Sequence, residues 1–286
     1  MNHPTFDPVR LLSTWATGAA AFAEVLAELD PSWGSEAFPL AGGIAVLCGP
    51  GMYVNRTMGA GLERGPTDEE WDRLERRSAA VGVAPSIEIT RHSHVDVRRD
   101  AEARGYVLAE LTSALVHDAE EEMPATTVRV EVMAANGELL PDWQETSARG
   151  FGIVDDERRR VSDAFARAAA VVDGERLVIV VDPDDRRALA TASLTVFDGI
   201  ATLGGMSTVP AERGRGVQSA LIRHRTRAAR ELGCDLVTST AAPGSQSERN
   251  LIRHGFHPVF EIEVWTRVGG FTEGVRPCLL YTSPSP

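Results

Sequence analysis

The sequence predicts a mixed α/β protein, a mixed sheet with helices on its faces, built as two tandem copies of one unit. Three observations carry that prediction. Strand-like runs and helical periods alternate along the whole chain. The second half reads in order as β, α, α, β, β, β, α, β, α, β. The two halves also close on one phrase: Arg104-Gly105-Tyr106 and His254-Gly255-Phe256 each stand between a helix and a strand, with the same helix–strand–helix order ahead of them.

The elements follow from local chemistry. Leu11–Leu29 is Ala-rich with Glu24 and Glu28 interspersed, an amphipathic helix ended by Pro31-Ser-Trp-Gly34. Ile44–Cys48 is a short apolar run broken by Gly49-Pro50-Gly51. Thr67 followed by Asp68, Glu69 and Glu70 caps a helix that runs to about Ala80, because acids in a first turn suit the helix dipole. Ser86–Thr90 alternates as a strand, and Tyr106–Val116 is another after the helix that stops at Gly105. The charged stretch His117–Pro124 is the candidate linker.

The second pattern begins at Thr127. Val128–Met133 reads as a strand, and 141–150 and 156–172 as helices. Leu177–Val181 is continuously apolar, as a buried strand is. Strands at 188–196 and 200–209 flank Asp198-Gly199, a tight hairpin turn. A helix over 214–232 stops at Gly233. Asp235–Thr240 is a strand, Ser245–His254 a helix and His257–Arg267 the last strand. The domains expected are therefore 1–122 and 127–270. The tail 271–286, ending Pro277-Cys-Leu-Leu-Tyr-Thr-Ser-Pro-Ser-Pro286, lacks periodicity and is left out of the fold as a non-native extension.

Composition excludes several classes. A formal net charge of −12 argues against broad nucleic-acid binding, which needs a basic surface. All 29 basic residues are Arg, which compositional bias explains. Cys48, Cys234 and Cys278 fit neither a zinc site nor a disulfide framework. His92 and His94 share a strand-like face without a third ligand, so no metal is expected. The N-terminus has no basic start followed by an apolar run, and no stretch reads as a membrane span, so a cytoplasmic location is expected.

The informative phrase is Met206-Ser-Thr-Val-Pro-Ala-Glu-Arg213-Gly-Arg-Gly216-Val-Gln-Ser219. It joins a strand to a helix through glycines. Main-chain N–H groups at such a junction point outward and, with the helix dipole, suit a pyrophosphate. Gly214 and Gly216 let phosphate oxygens approach the backbone, and Arg213 and Arg215 add positive charge. Between 213 and 230 stand six arginines and no acid.

At these residues the sequence resembles the GNAT N-acetyltransferase superfamily. Thr208-x-Pro210-x-x-Arg213-Gly-x-Gly216-x-Gln218 follows its CoA motif, with Gln218 where Gly or Ala is usual, and Ser245–Phe256 is similar to its second motif. The resemblance covers about 127–268, and the first half only by analogy of layout. It implies a mostly antiparallel sheet flanked by helices and acetyl-CoA as cosubstrate. It implies main-chain contacts of Met206, Ser207 and Thr208 to the pantetheine arm, and of Gly214, Arg215, Gly216, Val217, Gln218 and Ser219 to the pyrophosphate. A backbone N–H near Thr208 would polarise the thioester carbonyl in a slot between two splayed strands. Asn250 and Ser247 lie where they would position CoA or a water.

Many members of that family protonate the leaving thiolate with a Tyr four residues before the second motif's glycine. Here that residue is Leu251. The remaining acid–base candidates are His254 and Glu110, with Glu261 and Glu263 as further strand carboxylates. Trp15, Trp143 and Trp265 are assigned to packing. The first half's equivalent helix start carries three acids, which repel a pyrophosphate, so one CoA site per chain is expected. The function expected is acyl-CoA-dependent N-acetylation of a small-molecule or peptide amine by a monomer or homodimer. The alternative is a non-catalytic acyl-CoA sensor or scaffold. A nucleotide-phosphate enzyme is disfavoured, since Gly-x-x-x-x-Gly-Lys-Ser/Thr is absent.

Overall fold

The computed structural model describes residues 5–123 and 128–267; the tail 271–286 lies outside them. Among the described residues there are seven α-helices and eleven strands, mostly paired antiparallel. The chain divides into two compact units. The N-terminal unit holds Phe6–Ser113 together with 260–267, and the C-terminal unit holds Ala114–Val259. The division falls inside two strands, β5 (Tyr106–Asp118) and β11 (His257–Arg267), so neither unit is one contiguous half of the chain.

The N-terminal unit runs α1 (Pro8–Leu29), β1 (Glu36–Leu40), β2 (Gly43–Leu47), β3 (Arg56–Met58), α2 (Asp68–Ala80), β4 (Ser86–Thr90), α3 (Val95–Ala103) and β5. Its strands lie in the order β1-β2-β3-β4-β11. The β3–β4 pair is parallel, through Thr57↔Ile87. Trp71 and Leu74 of α2 pack on Ile87, Ile89, Tyr106 and Trp265 to form the core. Thr67 and Glu70 form a reciprocal capping box at the start of α2, as that segment's residues require.

The C-terminal unit runs β6 (Glu131–Ala134), α4 (Leu140–Phe151), α5 (Asp156–Ala169), β7 (Glu175–Val181), β8 (Ala188–Phe197), β9 (Ile200–Thr208), α6 (Val217–Glu231), β10 (Leu236–Ala241) and α7 (Gln246–Arg253), then β11. Its strands lie in the order β10-β9-β8-β7-β6. Asp198 (φ +46°) and Gly199 (φ +69°) close the β8–β9 hairpin with both central residues left-handed, the signature of that dipeptide. The β9–β10 pair is parallel, at 200–202 against 236–238. Both units therefore repeat three antiparallel strands, a helix, a strand parallel to the third, a helix and a strand. A tandem arrangement fits that repetition.

Three features depart from the expectations drawn from sequence. Strands β1 and β3 are additional to them. Pro39 argues against a strand, and the sheet accommodates it because β1 is an edge. The β1–β2 turn uses Ala41 at φ +46° before Gly42, where Asn or Asp is usual. His117 and Asp118, expected in the linker, end β5 instead. In addition β6 starts at Glu131, later than the strand expected from Val128.

Candidate functional site

The phosphate-loop candidate sits between β9 and α6. Arg213 is extended (φ −65°, ψ 153°), and Gly214 and Gly216 take positive φ of +75° and +78°. Gly216 caps α6, and no side chain bonds to the cap. Among the described residues, no acceptor meets the main-chain N–H groups of 214–219, and 213–215 are exposed. A row of donors at a helix start, without its own cap and without an acid in the first turn, is a seat for an anion.

The equivalent start in the N-terminal unit is filled by the protein itself. The Glu70 carboxylate accepts from Thr67 N (2.8 Å) and Ala41 N (3.1 Å) and takes a two-pronged ion pair from Arg64 (2.7 and 2.9 Å). The Arg64 bonds hold its pKa down at about 2, helped by those backbone donors against the opposing effect of partial burial. An internal anion thus stands where α6 leaves its donors open.

Strand β9 supplies the second part of the site. Its ladder to β10 ends at Thr202↔Thr238, leaving 203–208 beyond the last pair. On the other edge, the register with β8 shifts between Thr191 and Ser193, so that Ala192 faces both Gly205 and Met206. Gly205 at φ +55° accommodates the bulge. After it, Val209 N donates to Leu189 O (3.0 Å). By the alternation of a strand, Met206 and Thr208 then turn their N–H groups away from β8, into the opening. Gly150 of α4 lies over this stretch: a β-carbon there would come within 2.3 Å of Ser207 Oγ and 3.2 Å of Thr208 N.

Several side chains expected to face a ligand are held by protein groups. Arg213 donates from Nη2 to Gly150 O (2.9 Å) and from Nε to Thr208 O (3.3 Å), which ties the loop to α4 and β9. Arg215 pairs with buried Glu212 (2.5 Å), which Arg187 also binds. Both guanidinium groups are thus engaged, and Arg213 N also donates to Pro210 O (3.3 Å), which leaves Arg215 alone of the two with an open main-chain N–H. Asn250 bonds to Gln218, Gln246 and Arg253, a bridge from the first turn of α6 to α7. Gln218, the departure from the usual motif, makes that bridge. Ser207 Oγ shares a hydrogen bond with Thr191 Oγ1 (3.1 Å), and Ser219 is half-buried on the first turn of α6.

The acid–base candidates divide between the two units. Leu251 is 1% exposed and lies in the core with Phe256. His254 is buried, and its Nδ1 lies 2.7 Å from Asn250 O, one turn back, where it can only donate. Glu110 belongs to the N-terminal unit and is ion-paired with Arg56 (3.1 Å), which also meets buried Glu88. Glu263 binds Arg98 and the Trp265 indole. Among the described residues, no group of three or more His, Cys, Asp or Glu could hold a metal. No helix among them is long and apolar enough to cross a membrane.

One buried arginine has no counterpart among the residues singled out from sequence. Arg225 of α6, 1% exposed, reaches the β9 bulge. Nothing in its local sequence separates it from the five other arginines between 213 and 230.

Fold and site together define a class: a mixed, mostly antiparallel α/β unit whose third repeat strand bulges, splays from its parallel neighbour and opens through a glycine loop into an uncapped helix. Residues 138–256 match the acetyltransferase (GNAT) family, and the chain carries a domain of that family there. A GCN5-related N-acetyltransferase from Kribbella flavida superposes with a TM-score of 0.62 at 16% identity, covering 87% of this chain and 96% of its own. An acetyltransferase of the GNAT family from Colwellia psychrerythraea gives 0.52 at 13% identity over 93% and 100%. A tandem GNAT protein from the clavulanic acid biosynthesis pathway gives 0.52 at 15% identity over 69% and 68%. At these identities the likeness is one of fold. No curated protein matches the chain.

Proposed function

We propose that the C-terminal unit binds acetyl-CoA and transfers its acyl group to an amine. The observation that carries this reading is the start of α6: open main-chain donors at 214–219, in a loop held by two left-handed glycines, beside a splayed strand. The pyrophosphate would lie on those donors, and the pantetheine arm would run along 206–208. The N–H of Met206 or Thr208 would meet the thioester carbonyl and stabilise the oxyanion formed when the amine attacks. The acceptor is a small-molecule or peptide amine. The net charge of −12 favours a cationic one through long-range attraction.

Ser219→Asp tests the seat. A carboxylate in the first turn improves the helix dipole, so the melting temperature should hold or rise slightly. The same charge beside the pyrophosphate should weaken CoA at least about tenfold by calorimetry, a cost of order 1.4 kcal/mol. Unchanged affinity would remove the assignment.

A second reading, a non-catalytic acyl-CoA sensor or scaffold, draws on the packing of Leu251 in the core and the engagement of His254 with its own helix. Free thiol release from acetyl-CoA over an amine panel separates the two. Turnover above the hydrolysis rate supports the transferase; tight binding without it supports the sensor.

A further inference from the structure

The bulge in β9 is held from α6 by one side chain. Arg225 donates from Nη1 to Ser193 O (2.7 Å) on β8 and to Gly204 O (2.9 Å) on β9. Its Nε reaches Leu221 O (3.3 Å), and Nη2 lies 3.1 Å from Met206 Sδ. Ser193 and Gly204 are the pair flanking the register shift, so one guanidinium spans both strands at the point where their ladder breaks. Trp143 of α4 adds a bond from Nε1 to Ala192 O (3.3 Å), the residue opposite the bulge.

A buried cation without a bonded carboxylate is costly. Desolvation lowers the Arg225 pKa to about 9, against the attraction of Glu175. A buried arginine kept for packing alone would be replaced at lower cost by an apolar chain. Its donors instead go to the carbonyl oxygens of the two residues that flank the bulge. Without it, these two carbonyls would lose the bonds that tie them together across the break, and the local ladder would have reason to re-register.

That re-registration has a direct consequence for the opening beside β9. The bulge shifts the alternation of β9 by one residue, and this shift sends the N–H groups of Met206 and Thr208 away from β8. We propose that Arg225 is a positioning residue: by clamping Ser193 O and Gly204 O it holds the bulge and aims those N–H groups at the acyl carbonyl. The proposal rests on the acyl-CoA reading given above. It predicts a separation of effects, since the pyrophosphate seat at 214–219 lies on a different part of α6 from residue 225.

The test is isotope-edited infrared spectroscopy of acetyl-CoA carrying a ¹³C carbonyl, with calorimetry of CoA and acetyl-CoA, on the full chain. In the wild type the bound carbonyl band should move to lower frequency than in solution, as hydrogen bonding polarises it. In Arg225→Met the CoA affinity should stay within about threefold, the carbonyl shift should vanish, and any preference for acetyl-CoA over CoA should be lost. Arg225→Lys, which restores a cation and part of the donor set, should recover part of the shift. Should the Met variant fail to fold, Arg225→Gln, shorter and with fewer donors, should lose part of the shift. A folded Met or Gln variant whose bound carbonyl keeps the wild-type frequency overturns the role of Arg225 while leaving the acyl-CoA reading intact. A wild-type protein that does not bind CoA overturns both.

Discussion

Gly216 stands at φ +78°, and a β-carbon built on it would lie 2.5 Å from Val128 Cγ2. Backbone strain and a stiff β-branched neighbour both demand glycine there. A bulky residue at 216 would therefore disturb packing as well as phosphate binding, which is why Ser219 is the cleaner probe. His117 shows a different residue-scale constraint. It is 1% exposed, its ring lies 5.1 Å from that of Phe256 and tilted to it by 42°, and among the described residues its Nδ1 meets no hydrogen-bond partner. Burial lowers its pKa below the ordinary 6.5, outweighing the pull of the Asp118 backbone, Glu121 and Asp118. The folded protein thus keeps His117 neutral at pH values where the unfolded chain takes up a proton. Stability should fall as pH drops from about 6.5 through the lowered folded value and level off below it. His92 and His224 are displaced the same way by burial. His117→Phe should flatten part of that slope in urea titrations at pH 5 to 7; an unchanged slope would show that His117 is not a contributor.

Among elements, α2 and α6 are the informative pair. Each follows the third strand of the repeated pattern, and each begins after left-handed glycines. The first carries Asp68, Glu69 and Glu70 in its first turn and satisfies its donors internally; the second carries no acid and leaves them open. Glu70→Ala should cost about 1 kcal/mol, the worth of a helix cap, measured by denaturant unfolding. Because the Glu70 pKa is lowered to about 2, its contribution is present above the unfolded value of 4.5 and fades as pH falls towards 2. The acid run at 68–70 makes this contrast legible from the amino-acid order, since a cap and its helix dipole are local. The ion pair with Arg64 and the bond from Ala41, 29 residues away, depend on how the chain folds back on itself. The strands hardest to read are those with the least local signal. Strand β3 has three residues, too short for alternation to register, and β1 hides behind Pro39 and an Ala-Gly turn.

For the molecule as a whole, the repeated order of strands and helices makes the two units copies of one plan, and their helix starts make them unequal. Calorimetric titration should give one CoA per chain. A second equivalent site would mean that Glu70 does not close the N-terminal seat. The order of strands and helices in the second half, the Asp198-Gly199 hairpin and the glycine loop were legible in the sequence because each depends on neighbours within a few residues: caps, turn dihedrals and apolar periods are local. Which charges remain available was decided by tertiary structure. Arg213 is spent on Gly150, Asn250 on Gln218, and Arg225 on carbonyls of two strands. A polar group faces a ligand or a protein atom according to what long-range packing sets beside it, and a linear pattern does not encode that distance.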